Sequence, residues 1–129
     1  MRQKITDGEL KIMKIFWREN RALTFTDLRE LERTDDWKKT TVQTVMERLR
    51  RKGTIVEVPG YDRRGDVAHY IPTVSEQEFQ LDESDNLLDK AFDGSAVKMV
   101  AALHHGGKLT DDEVAELREY FKVVGGGNG

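Results

Sequence analysis

Between positions 38 and 52 the chain carries six basic residues and one acidic residue, with short threonines and a glutamine set among them. Such residue types suit a nucleic-acid backbone and its base edges. Lysine and arginine neutralise phosphates and release counterions. On this ground Lys38, Lys39, Arg48, Arg51, Arg63 and Arg64 are candidate phosphate contacts. Glutamine can pair with adenine, arginine with guanine, and a threonine methyl can touch the thymine methyl. Gln43, Arg48, Thr40, Thr41 and Thr44 are therefore the candidate base readers. The competing reading is that this is an ordinary solvated helix face, and Arg63-Arg64 an ordinary charged hairpin tip. Trp37 could stack on a sugar-phosphate edge or pack against a neighbouring helix.

The rest of the chain offers little for catalysis. With no cysteine there is no disulfide, thiolate metal site or cysteine nucleophile. His69, His104 and His105 are the only histidines. His104-His105 could hold a metal together with Asp111, Asp112 or Glu113, but helix capping and the helix dipole already account for those acids. The expectation is no enzyme, no cofactor and no metal. The absence of a long apolar run or an apolar leader predicts a cytoplasmic protein without membrane insertion.

Three helices in series must position the basic residues. Thr6-Asp7-Gly8-Glu9 is a capping box that opens a first helix at about 6–20, with Ile5 and Leu10 at staple positions. Leu10, Met13 and Trp17 recur there at helical spacing, with Ile12 and Phe16 beside them. A second helix starts at Thr24-Phe25-Thr26-Asp27, faces Leu28 and Leu31 inward, and closes around 33–36. The third covers about 39–52. Val42, Val45, Met46 and Leu49 fall at i, i+3, i+4 and i+7 and make one apolar stripe. Thr40, Thr44, Glu47 and Arg51 lie opposite, flanked by Gln43 and Arg48. Gly53 is a natural stop. Ile55 to Val58 and Val67 to Thr73 then read as the strands of a hairpin with Arg63-Arg64 at its tip. Helix-turn-helix spacing followed by a basic hairpin describes a winged helix-turn-helix.

The net charge of −3 hides an asymmetry. Residues 1–73 hold 16 Lys and Arg against 12 Asp and Glu, a net +4; residues 74–129 hold 5 against 12, a net −7. The acidic half begins with a capping box at Ser75-Glu76-Gln77-Glu78 and has another at Thr110-Asp111-Asp112-Glu113. Between them, Asp93-Gly94 and Gly106-Gly107 bracket a short helix over Ala96 to Leu103. These helices have narrow apolar stripes and too few large residues for a private core. Leu87, Leu88, Phe92, Val97, Val100, Leu103, Leu109, Val114, Leu117 and Phe121 are therefore expected to face a second copy of the chain. The fold class is mainly α, with a winged-helix domain over 1–73, a helical dimerisation domain over 74–124 and a flexible Gly-rich tail over 125–129.

The chain resembles the penicillinase-repressor family (BlaI/MecI/CopY type). Thr6-Asp7-Gly8-Glu9-Leu10, Met13 and Trp17 carry the likeness, with Thr40-Thr41-Val42-Gln43-Thr44 and Arg48-Leu49. Phe92-Asp93-Gly94-Ser95, the Val97-to-Leu103 helix and the run Leu109 to Leu117 continue it, so that it spans about 5–122. The resemblance implies a homodimeric transcriptional repressor whose winged helices bind the halves of a palindromic double-stranded DNA operator. It also implies a sensor or protease partner for induction. Antibiotic-responsive members are cut at an Asn-Phe bond where this chain has Ala102-Leu103, and the copper branch uses a cysteine pair that is missing here. The competing functions are a winged-helix module that binds protein, or a metal-responsive regulator.

Overall fold

A computed structural model of the chain describes residues 4–32, 37–59 and 67–125. The chain divides into two compact units, Met1–Gln80 and Leu81–Gly129.

In the first unit, α1 (Asp7–Glu19) begins at the Thr6 cap: the Thr6 hydroxyl accepts from the Glu9 amide and the Glu9 carboxylate accepts from the Thr6 amide. It ends at Asn20, which adopts the left-handed conformation with φ 53°. Two residues further on, β1 (Leu23–Thr24) runs directly into α2 (Phe25–Leu31). Thr24 is both the end of that strand and the cap of α2, in a second reciprocal pair with Asp27. Next comes α3 (Lys39–Lys52), stopped by Gly53 at φ 77°. Then β2 (Ile55–Glu57) and β3 (His69–Pro72) pair antiparallel, with Val56 opposite Ile71.

The sheet order is β1-β3-β2, all antiparallel. The hairpin strands are shorter than the alternation suggests, although the Val58 amide still donates to the His69 carbonyl at 2.8 Å. β1 is the addition that sequence reading misses. It pairs Leu23 with Tyr70 and Thr24 with His69, and so ties the α1–α2 link to the hairpin.

One core serves this unit. Ile12, Met13, Phe16, Leu23, Leu28, Val42, Leu49 and Ile55 are essentially removed from solvent, which is the main favourable term holding the three helices on the sheet. Leu10 and Trp17, expected inward, are only partly buried; Ile15 takes a buried place beside Ile12 and Phe16. The first turn of α4 (Glu76–Phe92) belongs to the same unit. The Trp17 indole donates to the Val74 carbonyl at 3.0 Å, and its ring lies 5.5 Å from that of Phe79.

The second unit comprises the remainder of α4, α5 (Ala96–His105) and α6 (Asp111–Gly125). Asp93 and Gly94, both at positive φ, end α4 where the sequence places its break. The Ser95 hydroxyl caps α5 by accepting from the Lys98 amide. The Thr110–Glu113 box opens α6. α6 continues through Gly125, and α5 runs two residues past Leu103. No residue between 81 and 125 is buried.

Candidate nucleic-acid interface

The inner side of α3 anchors it. Val42, Val45, Met46 and Leu49 are all buried, as their spacing requires. With that stripe fixed, the opposite face must be presented outward. Lys38, Lys39, Thr40, Thr41, Gln43, Thr44, Arg48 and Arg51 are all exposed. The structure thus brings eight of the ten candidate contacts onto one helix and its cap. Arg63 and Arg64 lie outside the described residues.

The helix begins without a side-chain cap: Lys38 occupies that position and makes no capping hydrogen bond. The opening amides of a helix have no intrahelical acceptor, and they favour an anion. The other helix starts in this unit are closed by Thr6–Glu9, Thr24–Asp27 and Ser75–Glu78, so among the described residues of this unit α3 is the helix left uncapped by a side chain. Two lysines, Lys38 and Lys39, flank it.

Local geometry refines several side-chain roles. The Thr44 hydroxyl donates to the Thr40 carbonyl at 2.8 Å, which leaves its methyl as the group it presents. Gln43 borders two open grooves beside Phe25. One, about 580 Å³, is also lined by Thr26, Arg29, Glu30 and Lys39; the other, about 210 Å³, by Met46, Glu47, Arg50 and Tyr70. Arg29 therefore adds a cation from α2 to the groove that Lys39 also lines. Its position depends on how α2 packs on α3, and nothing in its own segment signals it.

Lys52 differs from the other basic residues of α3. Its ammonium is 2.7 Å from the buried Glu9 carboxylate and 3.1 Å from the Lys4 carbonyl. One of the six charges in the basic run is thus turned inward to α1. Trp37 packs: it lies against Gly8, with the Lys11 ammonium 4.6 Å from its ring centre.

The other candidate residues fall elsewhere. His69 sits in β3, with Nδ1 3.1 Å from the Val67 carbonyl. His104 and His105 are exposed at the end of α5, His104 being 3.8 Å from Asp111. Among the described residues no group of three or more His, Asp or Glu is placed to hold a metal ion. No described helix is long and apolar enough to cross a membrane. In the second unit Leu87, Val97, Val100, Leu103, Leu117 and Phe121 are exposed, with Val97 at 80% and Phe121 at 62%. Leu88, Phe92, Leu109 and Val114 are half-buried. Leu81, Tyr120, Val123 and Val124 add exposed apolar surface that the stripe count misses.

Comparison with known proteins gives a consistent result. The penicillinase repressor family model matches residues 5–122. The penicillinase repressor of Bacillus licheniformis is 29% identical over 119 residues, covering 92% of this chain and 90% of that protein. The methicillin resistance regulatory protein MecI of Staphylococcus aureus (strain N315) is 28% identical over 117 residues, covering 89% and 90%. A solution structure of the DNA-binding domain of the repressor BlaI is 30% identical and covers 60% of this chain and 93% of that one, with a TM-score of 0.48. With nearly its whole length matched, and a buried-stripe helix set between a helix pair and a hairpin, the chain belongs to the penicillinase repressor family of winged-helix transcriptional repressors.

Proposed function

We propose that this chain is a cytoplasmic, non-enzymatic repressor that binds a palindromic operator as a homodimer, each copy reading one half-site with α3. The observation that carries this reading is the outward face of α3: eight exposed basic and polar residues, held in place by a fully buried stripe. In this reading the uncapped start of α3, with Lys38 and Lys39, receives a phosphate. Thr40, Thr41, Gln43, Thr44 and Arg48 meet base edges in the major groove. Arg51 and the wing residues Arg63 and Arg64 hold the flanking backbone, fixing register without reading sequence. The exposed apolar residues of the second unit, among them Val97, Val100, Leu103 and Phe121, form the twofold interface. Operator symmetry then follows from protein symmetry.

The test is binding of the purified protein to the DNA upstream of its own gene across a salt series. The expected result is tight binding at low salt that weakens steeply as salt rises. Failure to bind that DNA at low salt sinks the repressor reading and leaves a winged helix that binds protein.

A further inference from the structure

We propose that Glu47 is a specificity-determining residue of α3, selecting cytosine at one position of each half-site; this rests on the DNA-reading function proposed above. Glu47 occupies the middle of the outward face. It follows Thr44 by three residues and precedes Arg51 by four, on the line opposite the buried stripe of Val42, Val45, Met46 and Leu49. Its side chain is 53% exposed, and its carboxylate is 3.6 Å from the Arg50 guanidinium.

An acid at that place is a handicap for a purely electrostatic DNA binder, because it faces a surface of phosphates. It becomes favourable only against a hydrogen-bond donor. An ionised carboxylate is acceptor-only. In the major groove guanine presents two acceptors and thymine an acceptor and a methyl group. Adenine presents a donor beside an acceptor, and cytosine presents a donor with no acceptor. Glu47 therefore matches cytosine N4 and opposes guanine and thymine, so that it selects by repulsion as well as by attraction. Arg50 is its positioning residue. It draws the carboxylate toward the Gln43 side of the helix, where Gln43, Glu47 and Arg50 line one groove, and its charge lessens the repulsion from the backbone.

The test is selection from a library of randomised half-operators with the full-length wild type, Glu47→Gln and Glu47→Ala. Melting temperatures would confirm that both exposed substitutions leave the fold intact. The wild type should enrich cytosine at one position by about tenfold or more over guanine and thymine, in the range of a well-placed direct contact. Glu47→Ala should lose that preference and keep the others. Glu47→Gln, which can both donate and accept, should move the same position toward adenine. Both variants should bind non-specific DNA more tightly than the wild type. If all three proteins enrich the same sequences, Glu47 is only the partner of Arg50 in a surface ion pair, and the inference is wrong. If the wild type itself enriches nothing at low salt, the DNA-reading proposal fails and takes this inference with it.

Discussion

Glu9 is the least expected residue in the core: a carboxylate with no solvent exposure, beside Ile12 and Met13. The capping-box pattern explains its type but not its burial. Oε1 accepts from the Thr6 amide and from the Lys52 ammonium, while Oε2 is buried with no hydrogen-bond partner among the described residues. Burial is the largest influence on this carboxyl and pushes its pKa up. The Lys52 hydrogen bond, the Thr6 amide, the Lys52 charge and the Thr6 hydroxyl together outweigh it, and the net shift is downward from 4.5. A lowered folded-state pKa means that the stabilisation is complete above the ordinary carboxylate value and is lost as pH falls below it. Lys52→Met removes the ammonium but leaves the charge buried. Breaking such a pair costs about 3 kcal/mol or more, and the partial exposure of Lys52 places this one at the low end. Without Lys52, burial should raise the Glu9 pKa, so protonation relieves the variant and its deficit should shrink between pH 7 and pH 4. Urea unfolding at the two pH values measures this; an equal deficit at both would mean that the buried charge is not the cause. Among the exposed residues, Gln43 is the complementary case. Gln43→Ala should leave stability unchanged and relax base preference at one half-site position, since an amide pairs with adenine through two hydrogen bonds. A selection assay returning the wild-type pattern would remove Gln43 from the readers.

Among the elements, the helix starts were the most legible, because a capping box is a local code. Thr6–Glu9, Ser75–Glu78 and Thr110–Glu113 all form the reciprocal hydrogen bonds their spacing predicts. The stripe and stop of α3 were legible for the same reason, since both depend on neighbours within a few residues. β1 was not. Its two residues pair with His69 and Tyr70, more than forty positions away, and no alternation can show in a strand of that length. The inward turn of Lys52 and the groove that Arg29 shares with Lys39 also depend on packing between distant segments. Two predictions belong at this scale. Gly53 holds φ 77°, and a Cβ built there meets nothing within 4 Å. Gly53→Ala should therefore cost only the backbone conformation, about 1 kcal/mol, read as a shift of the urea midpoint with the slope unchanged. A much larger loss would mean that the α3–β2 junction has no room for a side chain. If Arg63 and Arg64 hold phosphates as proposed, Arg63→Ala or Arg64→Ala should weaken binding to all DNA sequences alike. Each should flatten the salt dependence by about one unit of slope, as the loss of a phosphate contact requires. An unchanged slope in both variants would place the wing tip away from DNA.

At the scale of the whole molecule the two halves answer different physical problems. The first unit has a core of its own. Among the described residues the second has the rest of α4, α5 and α6, an excess of acid and no buried residue, so that little apolar burial holds it together. The charge asymmetry fits this division, with net positive charge before residue 74 and net negative charge after it. The boundary lies later than the change in sequence character. Val74 is buried, accepts the Trp17 hydrogen bond, and is followed by Phe79, whose ring lies tilted against the same indole. A chain cut after Thr73 should therefore lose about 2–4 kcal/mol, the cost of two apolar side chains taken from the core. A chain cut after Gln80 should keep wild-type stability in its winged helix. If the second unit supplies the twofold contact, the Gln80 chain should be a monomer by light scattering while the full-length protein is a dimer. Its operator affinity should fall on the order of 100-fold, because the second half-site no longer benefits from a tethered partner. Its affinity for a single half-site should match that of the full-length protein. A dimer from the Gln80 chain would place the interface on the winged helix instead and leave the exposed surface of α5 and α6 for another partner.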